Sequence, residues 1–206
     1  MQLSSSKRKT FLSFQPPAIG PEEIAAVTET LESGWLTSGP RAEELERRLA
    51  ELAGARHALA VASGTAAMHL SLVGLGLGPG DEVITTPITW PATANVIVHT
   101  GATPVFVDVR DSDLNIDPEL AAAAVTERTR AILPVDLAGQ PAELDPLLAL
   151  GLPVVEDAAH AVEARYRILP SLYAMGQGGL VFFPQANGAL FRGVFAGLGV
   201  GFDFER

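Results

Sequence analysis

Residues 57–75 read HALAVASGTAAMHLSLVGL, and the reading of this stretch decides the fold class. His57 to Ala62 is a short run suited to a strand, Ser63, Gly64 and Thr65 are small, and Thr65 to Leu75 is an apolar helical stretch. An apolar strand that passes through a small-residue turn into a helix belongs to a parallel sheet covered on both faces. The same unit recurs downstream. Strands are predicted at Glu82 to Thr86, Pro104 to Asp108, Ala131 to Val135 and Pro153 to Glu156, with helices at Pro91 to Thr100, Pro118 to Val125 and Ala142 to Leu150. Upstream, Pro21 at a first helical position, Glu22 and Glu23 in the positive first turn, and Ile24, Val27 and Leu31 at helical spacing predict a helix that stops near Gly34. A second helix runs from Arg41 to about Ala53, with Leu45, Leu49 and Leu52 on one face and Gly54 as its stop. The expected class is α/β, a mainly parallel sheet with helices on both faces.

Composition narrows the function. The chain has 206 residues, with 14 basic against 24 acidic side chains and a net charge of −10, which argues against a nucleic-acid binder. At 48% hydrophobic and 18% charged it is too apolar to be disordered, yet no run reaches the ~20 apolar residues of a membrane span. The absence of cysteine excludes disulfides, thiolate zinc sites, iron–sulfur clusters and cysteine nucleophiles. His57, His69, His99 and His160 have no ligand-like spacing, so no metal is expected. The opening MQLSSSKRKT lacks the apolar stretch of a signal peptide, which makes a cytoplasmic location the default. Only Lys7 and Lys9 are lysines, so chemistry that needs an internal lysine has none to use.

Three segments carry candidate chemistry. The turn SGTAA at 63–67 leaves backbone N–H groups at the positive end of a helix, which suits a phosphate; it is equally an ordinary helix N-cap. ITWPAT at 88–93 follows a strand, and Trp90 there can stack on a planar ring or serve as a core or interface residue. VVEDAAH at 154–160 delivers Glu156 and Asp157 to opposite faces at the end of a buried strand, where Asp157 needs a partner or acts as a helix cap. Trp35, in the loop SGWLTSGP at 33–40, is read as a plug of the core or an interface, or as a residue lining a site. GLGLGPG at 74–80 is out of register for a dinucleotide fingerprint and reads as a helix end and turn.

After Arg167 the character changes. Residues 168–206 hold six of the nine phenylalanines and eight of the twenty glycines, and sustain neither helical period nor strand alternation. Two readings stand: a buried glycine-rich segment, or unrelated sequence after a disrupted reading frame. The segment is expected to be poorly ordered or loosely packed, and residues 1–10 flexible.

In order along the chain, ESGWLTSGP, LAELAGARHALAVASGTAAMHLSL, GLGPGDEVITTPITWPATANVIVHTGATPVFVDV, LNIDPE, TRAILPV, AGQP and VVEDAAHAVEARYR resemble the first half of the sugar aminotransferases of the DegT/DnrJ/EryC1/StrS family. These are pyridoxal-phosphate enzymes of fold type I, and similarity is greatest to the branch that aminates UDP-linked 4-keto sugars. The resemblance implies that residues 11–167 form part of the large domain and 168–206 an aberrant tail. It implies that Gly64, Thr65 and Ala66 hold the phosphate of pyridoxal 5'-phosphate, Trp90 stacks on its ring, Asp157 pairs with its protonated pyridine nitrogen, and His160 reaches its ring hydroxyl. It further implies a nucleotide-linked keto-sugar substrate, glutamate as amino donor, and a homodimer with Trp35 near the interface. Family members carry a Schiff-base lysine beyond the aspartate, whereas GGLVFFPQANGALF at 178–191 has none. Asp136 stands where many members have histidine. The expectation is a truncated, inactive aminotransferase, or alternatively a non-catalytic binding or regulatory partner of a full-length paralogue.

Overall fold

The computed structural model describes residues 19–159 and the backbone of two later strands, 178–183 and 192–198. Two helices come first, α1 (Pro21–Glu32) and α2 (Pro40–Ala53). Alternation then begins with β1 (His57–Val61), α3 (Gly64–Gly74), β2 (Glu82–Thr85), α4 (Pro91–His99), β3 (Thr103–Phe106), α5 (Pro118–Ala123) and β4 (Thr129–Leu133). A single 3-10 turn (Leu137–Gly139) leads to α6 (Leu144–Leu148) and β5 (Val154–Asp157), and β6 (Gly178–Phe183) and β7 (Arg192–Leu198) follow. Helix α6 is shorter than its pattern predicts. The Ala142 N–H is given to the Asp136 carboxylate instead of to a helical turn, and the backbone at Glu143 is extended.

The seven strands lie in the order β1-β6-β7-β5-β4-β2-β3. β6 runs antiparallel to both β1 and β7, whereas β7, β5, β4, β2 and β3 are mutually parallel. Two reversals through β6 leave β1 pointing the same way as β5. The carboxyl ends of β1, β2, β4 and β5 therefore share one edge, where open α/β sheets place their ligands. The pleat sorts the core onto two faces. Val83, Ala131, Leu133 and Val155 join Ala67, Met68 and Leu72 of α3 and Val96 and Ile97 of α4 in one cluster. Ile84, Ile132 and Val154 join Ala121 of α5 and Leu147 of α6 in the other. Each such large aliphatic side chain, taken wholly from water, stabilises the fold by roughly 1.5–3 kcal/mol.

Two stretches of residues 168–206 are strands, and they occupy the middle of the sheet between β1 and β5. Glycines at 178, 179, 193 and 197 mask the alternation, yet Leu180, Val181, Phe182, Phe183, Val194 and Phe195 are strand formers, and β6 and β7 each pair with a neighbour on either side. The side chains of this segment, and residues 1–10, lie outside the described residues.

Candidate functional site at the carboxyl edge of the sheet

Three of the connections at the carboxyl edge carry the residues singled out in the sequence. The first follows β1, where Ser63 is the N-cap of α3 and its Oγ accepts from the Ala66 N–H at 3.1 Å. Among the described residues no partner is found for the N–H groups of Gly64 and Thr65, which open the helix at the positive end of its dipole. Ala66, which the resemblance puts with the phosphate ligands, has its amide engaged by Ser63. Thr65 is exposed and Gly64 half-buried, so this turn is open to a ligand.

The second connection follows β2. Trp90 is the N-cap of α4 and is 78% exposed, so it is no core residue. One turn on, Thr93 is fully buried and its Oγ1 donates to Asp157 Oδ2 at 2.7 Å. Thr89 Oγ1 lies 2.7 Å from Thr93 Oγ1. The third connection follows β5, which ends in Asp157, 6% exposed. Its Oδ1 accepts a long bond of 3.4 Å from the Ala159 N–H. Among the described residues, the Thr93 hydroxyl on α4 is thus one partner of this buried carboxylate. Glu156 is also buried, on the other side of the pleat. His160 lies outside the described residues.

Beside Asp157, β4 runs on into Asp136, whose N–H donates to the Asp157 carbonyl at 3.0 Å. Asp136 is buried, its Oδ1 accepts from Ala142 N–H at 2.9 Å, and its Oδ2 has no hydrogen-bond partner among the described residues. The loop 137–142 that these bonds shape is held from the other side by Asn115. This side chain is wholly buried; its Oδ1 accepts from Leu137 N–H at 3.3 Å and its Nδ2 donates to Gln140 O at 3.0 Å. Arg110 braces the preceding loop through Asp113 and, at 2.8 Å, Glu143. Burial pushes the Asp113 carboxyl up, but the Asn115 amide and the Arg110 guanidinium outweigh it and hold the group below its ordinary range. The fragments LNIDPE and AGQP, far apart in sequence, are here two sides of one hydrogen-bonded support.

Trp35 is 57% exposed and plugs no core. Its indole N–H donates to Ser38 O at 2.8 Å, and the ring lies so close over Gly39 that a Cβ there would sit 2.0 Å from Nε1. Ile24, Leu31 and Leu36 are exposed beside it in sequence, and α1 has no buried residue. No cluster of three or more metal-ligating side chains exists among the described residues.

The residues at this edge fit a phosphorylated, cationic ring. The Gly64 and Thr65 amides, without a partner among the described residues, suit a phosphate, an exposed indole suits stacking, and a buried carboxylate oriented by Thr93 suits a protonated ring nitrogen. The structure brings Gly64, Thr65, Trp90 and Asp157 to this one edge. Sequence reasoning missed Thr93 and Asn115, whose partners are distant in sequence, and Thr89, whose contact is with Thr93.

The model of the DegT/DnrJ/EryC1/StrS aminotransferase family matches residues 17–186. The spore coat polysaccharide biosynthesis protein SpsC of Bacillus subtilis (strain 168) is 54% identical over 165 residues, covering 78% of this chain and 42% of that protein. Among solved structures, Spr1654 from Streptococcus pneumoniae in its PLP form superposes with a TM-score of 0.70 at 39% identity, over 73% of this chain and 43% of that one. The 3-amino-5-hydroxybenzoic acid synthase does so with a TM-score of 0.74 at 37% identity, over 83% and 50%. The chain thus spans about half or less of the length of these relatives. Spr1654 has also been solved in a PMP form, and pyridoxal 5'-phosphate is the cofactor of these aminotransferases.

Proposed function

The chain belongs to the DegT/DnrJ/EryC1/StrS aminotransferase family, and from that membership we propose that its carboxyl edge is the cofactor half of a sugar-nucleotide aminotransferase site. The observation that carries the reading is the buried Asp157 carboxylate, held by Thr93 one helical turn from the exposed Trp90. Gly64 and Thr65 would receive the phosphate, Trp90 would cover one face of the ring, and Asp157 would keep the pyridine nitrogen protonated. Bound in this way, the cofactor supplies an electron-poor ring that eases loss of a proton from the carbon carrying the amine. The protein's part is to fix the ring's plane, to retain the nitrogen-bound proton through Asp157, and to exclude water from that contact. His160, three residues beyond Asp157, is assigned to the ring hydroxyl by the resemblance.

The amino acceptor in this reading is a nucleotide-linked keto sugar and the donor is glutamate; the polysaccharide role in the name of SpsC supports the sugar part. The exposed apolar side chains Ile24, Leu31, Trp35 and Leu36 support a homodimer formed through α1 and its following loop. Because the only lysines are Lys7 and Lys9, the 206 residues by themselves are proposed to hold the cofactor without a covalent link and not to turn over. In domain terms, residues 11–167 are proposed as the partial large domain, with 168–206 as a divergent segment. No helix among the described residues is long and apolar enough to cross a membrane.

Amide chemical shifts under titration with pyridoxamine 5'-phosphate test the site, since this amine needs no lysine. Saturable shifts at Gly64, Thr65 and Asp157 are expected; shifts confined to other surfaces refute the assignment. Borohydride reduction with pyridoxal 5'-phosphate should label no described residue, and glutamate-dependent amination of a keto sugar nucleotide by this chain alone would overturn the inactive reading.

A further inference from the structure

We propose that Thr89 and Thr93 form a directed hydrogen-bond relay whose function is to position Asp157 for the ring nitrogen of the cofactor, an inference that rests on the reading above. The direction follows from counting protons. Thr93 Oγ1 lies 2.7 Å from Asp157 Oδ2 and 2.7 Å from Thr89 Oγ1. An ionised carboxylate only accepts, so the single hydroxyl hydrogen of Thr93 goes to Asp157. Thr93 must then accept from Thr89, and the relay runs Thr89 to Thr93 to Asp157. A hydroxyl that is itself hydrogen-bonded is a better donor, so the outer link strengthens the inner one.

The placement is specific to the site. Thr93 is fully buried on α4, and its hydroxyl reaches 64 residues along the chain to the end of β5. Trp90 lies between the two threonines in sequence and is exposed, so the turn that carries the stacking ring also grips the carboxylate. Threonine in a helix ordinarily bonds a carbonyl in its own preceding turn, as Thr28 does to Ile24 O. Thr93 instead bonds the carboxylate, which fixes the plane of that group. Among the described residues, titratable groups next to Asp157 include Asp136, just beyond the end of β4, and Glu156 on its own strand; both are unchanged in every variant below, and α4 presents no charged group in its first two turns.

The test uses Thr93→Val, which keeps shape and removes the donor, Thr93→Ser, which restores it, and Thr89→Val. Two readouts are taken: the carboxyl-carbon titration of Asp157 by NMR without cofactor, and the affinity for pyridoxamine 5'-phosphate. Thr93→Val should raise the Asp157 titration midpoint and weaken the ligand about tenfold, the worth of a hydrogen bond to a charged group. Thr93→Ser should return both toward wild type, and Thr89→Val should move both in the same direction by less. An unchanged midpoint with affinity within twofold of wild type overturns the relay. If wild type binds no pyridoxamine 5'-phosphate, the cofactor reading fails, and the Asp157 titration still decides whether the relay exists. If Thr93→Val does not fold, Thr89→Val at its half-buried position decides by the same titration: an upward move supports the relay and no move overturns it.

Discussion

Asn115→Ala is the sharpest probe of how the carboxyl edge is built. The side chain is wholly buried and joins Leu137 N–H at 3.3 Å and Gln140 O at 3.0 Å. Its removal strips two bonds from the loop after β4 that ends in the Asp136–Ala142 contact. Leu137 is half-buried and Gln140 exposed, so both orphaned groups regain some water and each lost bond costs about 1 kcal/mol. A total near 2 kcal/mol is expected. Two non-glycine residues with left-handed backbone flank this contact, Leu114 at φ 59° and Ala138 at φ 52°, each strained by roughly 1 kcal/mol that the amide of Asn115 helps to hold. Urea unfolding followed by circular dichroism should lower the midpoint by about 1 M, at a slope near 2 kcal/mol/M. Ala138→Gly in the same background should recover about half of the loss by releasing strain. A midpoint shift of Asn115→Ala under about 0.2 M, with amide exchange of Leu137 and Ala142 unchanged, would refute the view that this side chain braces the loop.

Gly39→Ala sets a Cβ 2.0 Å from Trp35 Nε1, so the indole must leave and its bond to Ser38 O must break. A shift in Trp35 fluorescence, with a stability loss of roughly 1 kcal/mol, is expected; an unchanged indole environment would contradict the packing. On α2, Glu44 is held down to about 2 by hydrogen bonds from Arg47 and then Arg48. A carboxyl depressed in the folded state stabilises fully above its ordinary 4.5 and loses that contribution as pH falls through about 2. NMR titration of Glu44 that places its midpoint near 4.5 would remove the pairing from solution.

The alternating elements from α1 to β5 were legible because their apolar runs are bounded by proline and glycine, which leaves little freedom in where each begins. Pro21, Pro40, Pro91 and Pro118 each open a helix. What resisted reading was whatever depends on a distant partner. Thr93 looks like any residue in the first turn of α4, and only the parallel crossover that sets β5 near α4 brings Asp157 to its hydroxyl. Asn115 reads as a loop residue until the sheet places the loop after β4 against it. β6 and β7 were hidden for a different reason: their glycines erase the period of two, and the open positions between β1 and β5 that they fill exist only in three dimensions. Trp35 is open to three readings in sequence, a plug of the core, an interface residue or a lining of a site; of these the structure removes the core plug, since the indole lies exposed on its own loop where Gly39 leaves it room.

The central claim is that the edge around Asp157 holds a pyridoxal-type cofactor without a lysine. Isothermal titration of the purified chain with pyridoxamine 5'-phosphate, repeated on Asp157→Ala, tests it most directly. The account predicts saturable binding at one site per chain, weakened at least about tenfold by Asp157→Ala through loss of the charge-assisted bond to the ring nitrogen. Absence of saturable binding, or equal affinity in the two proteins, would contradict it.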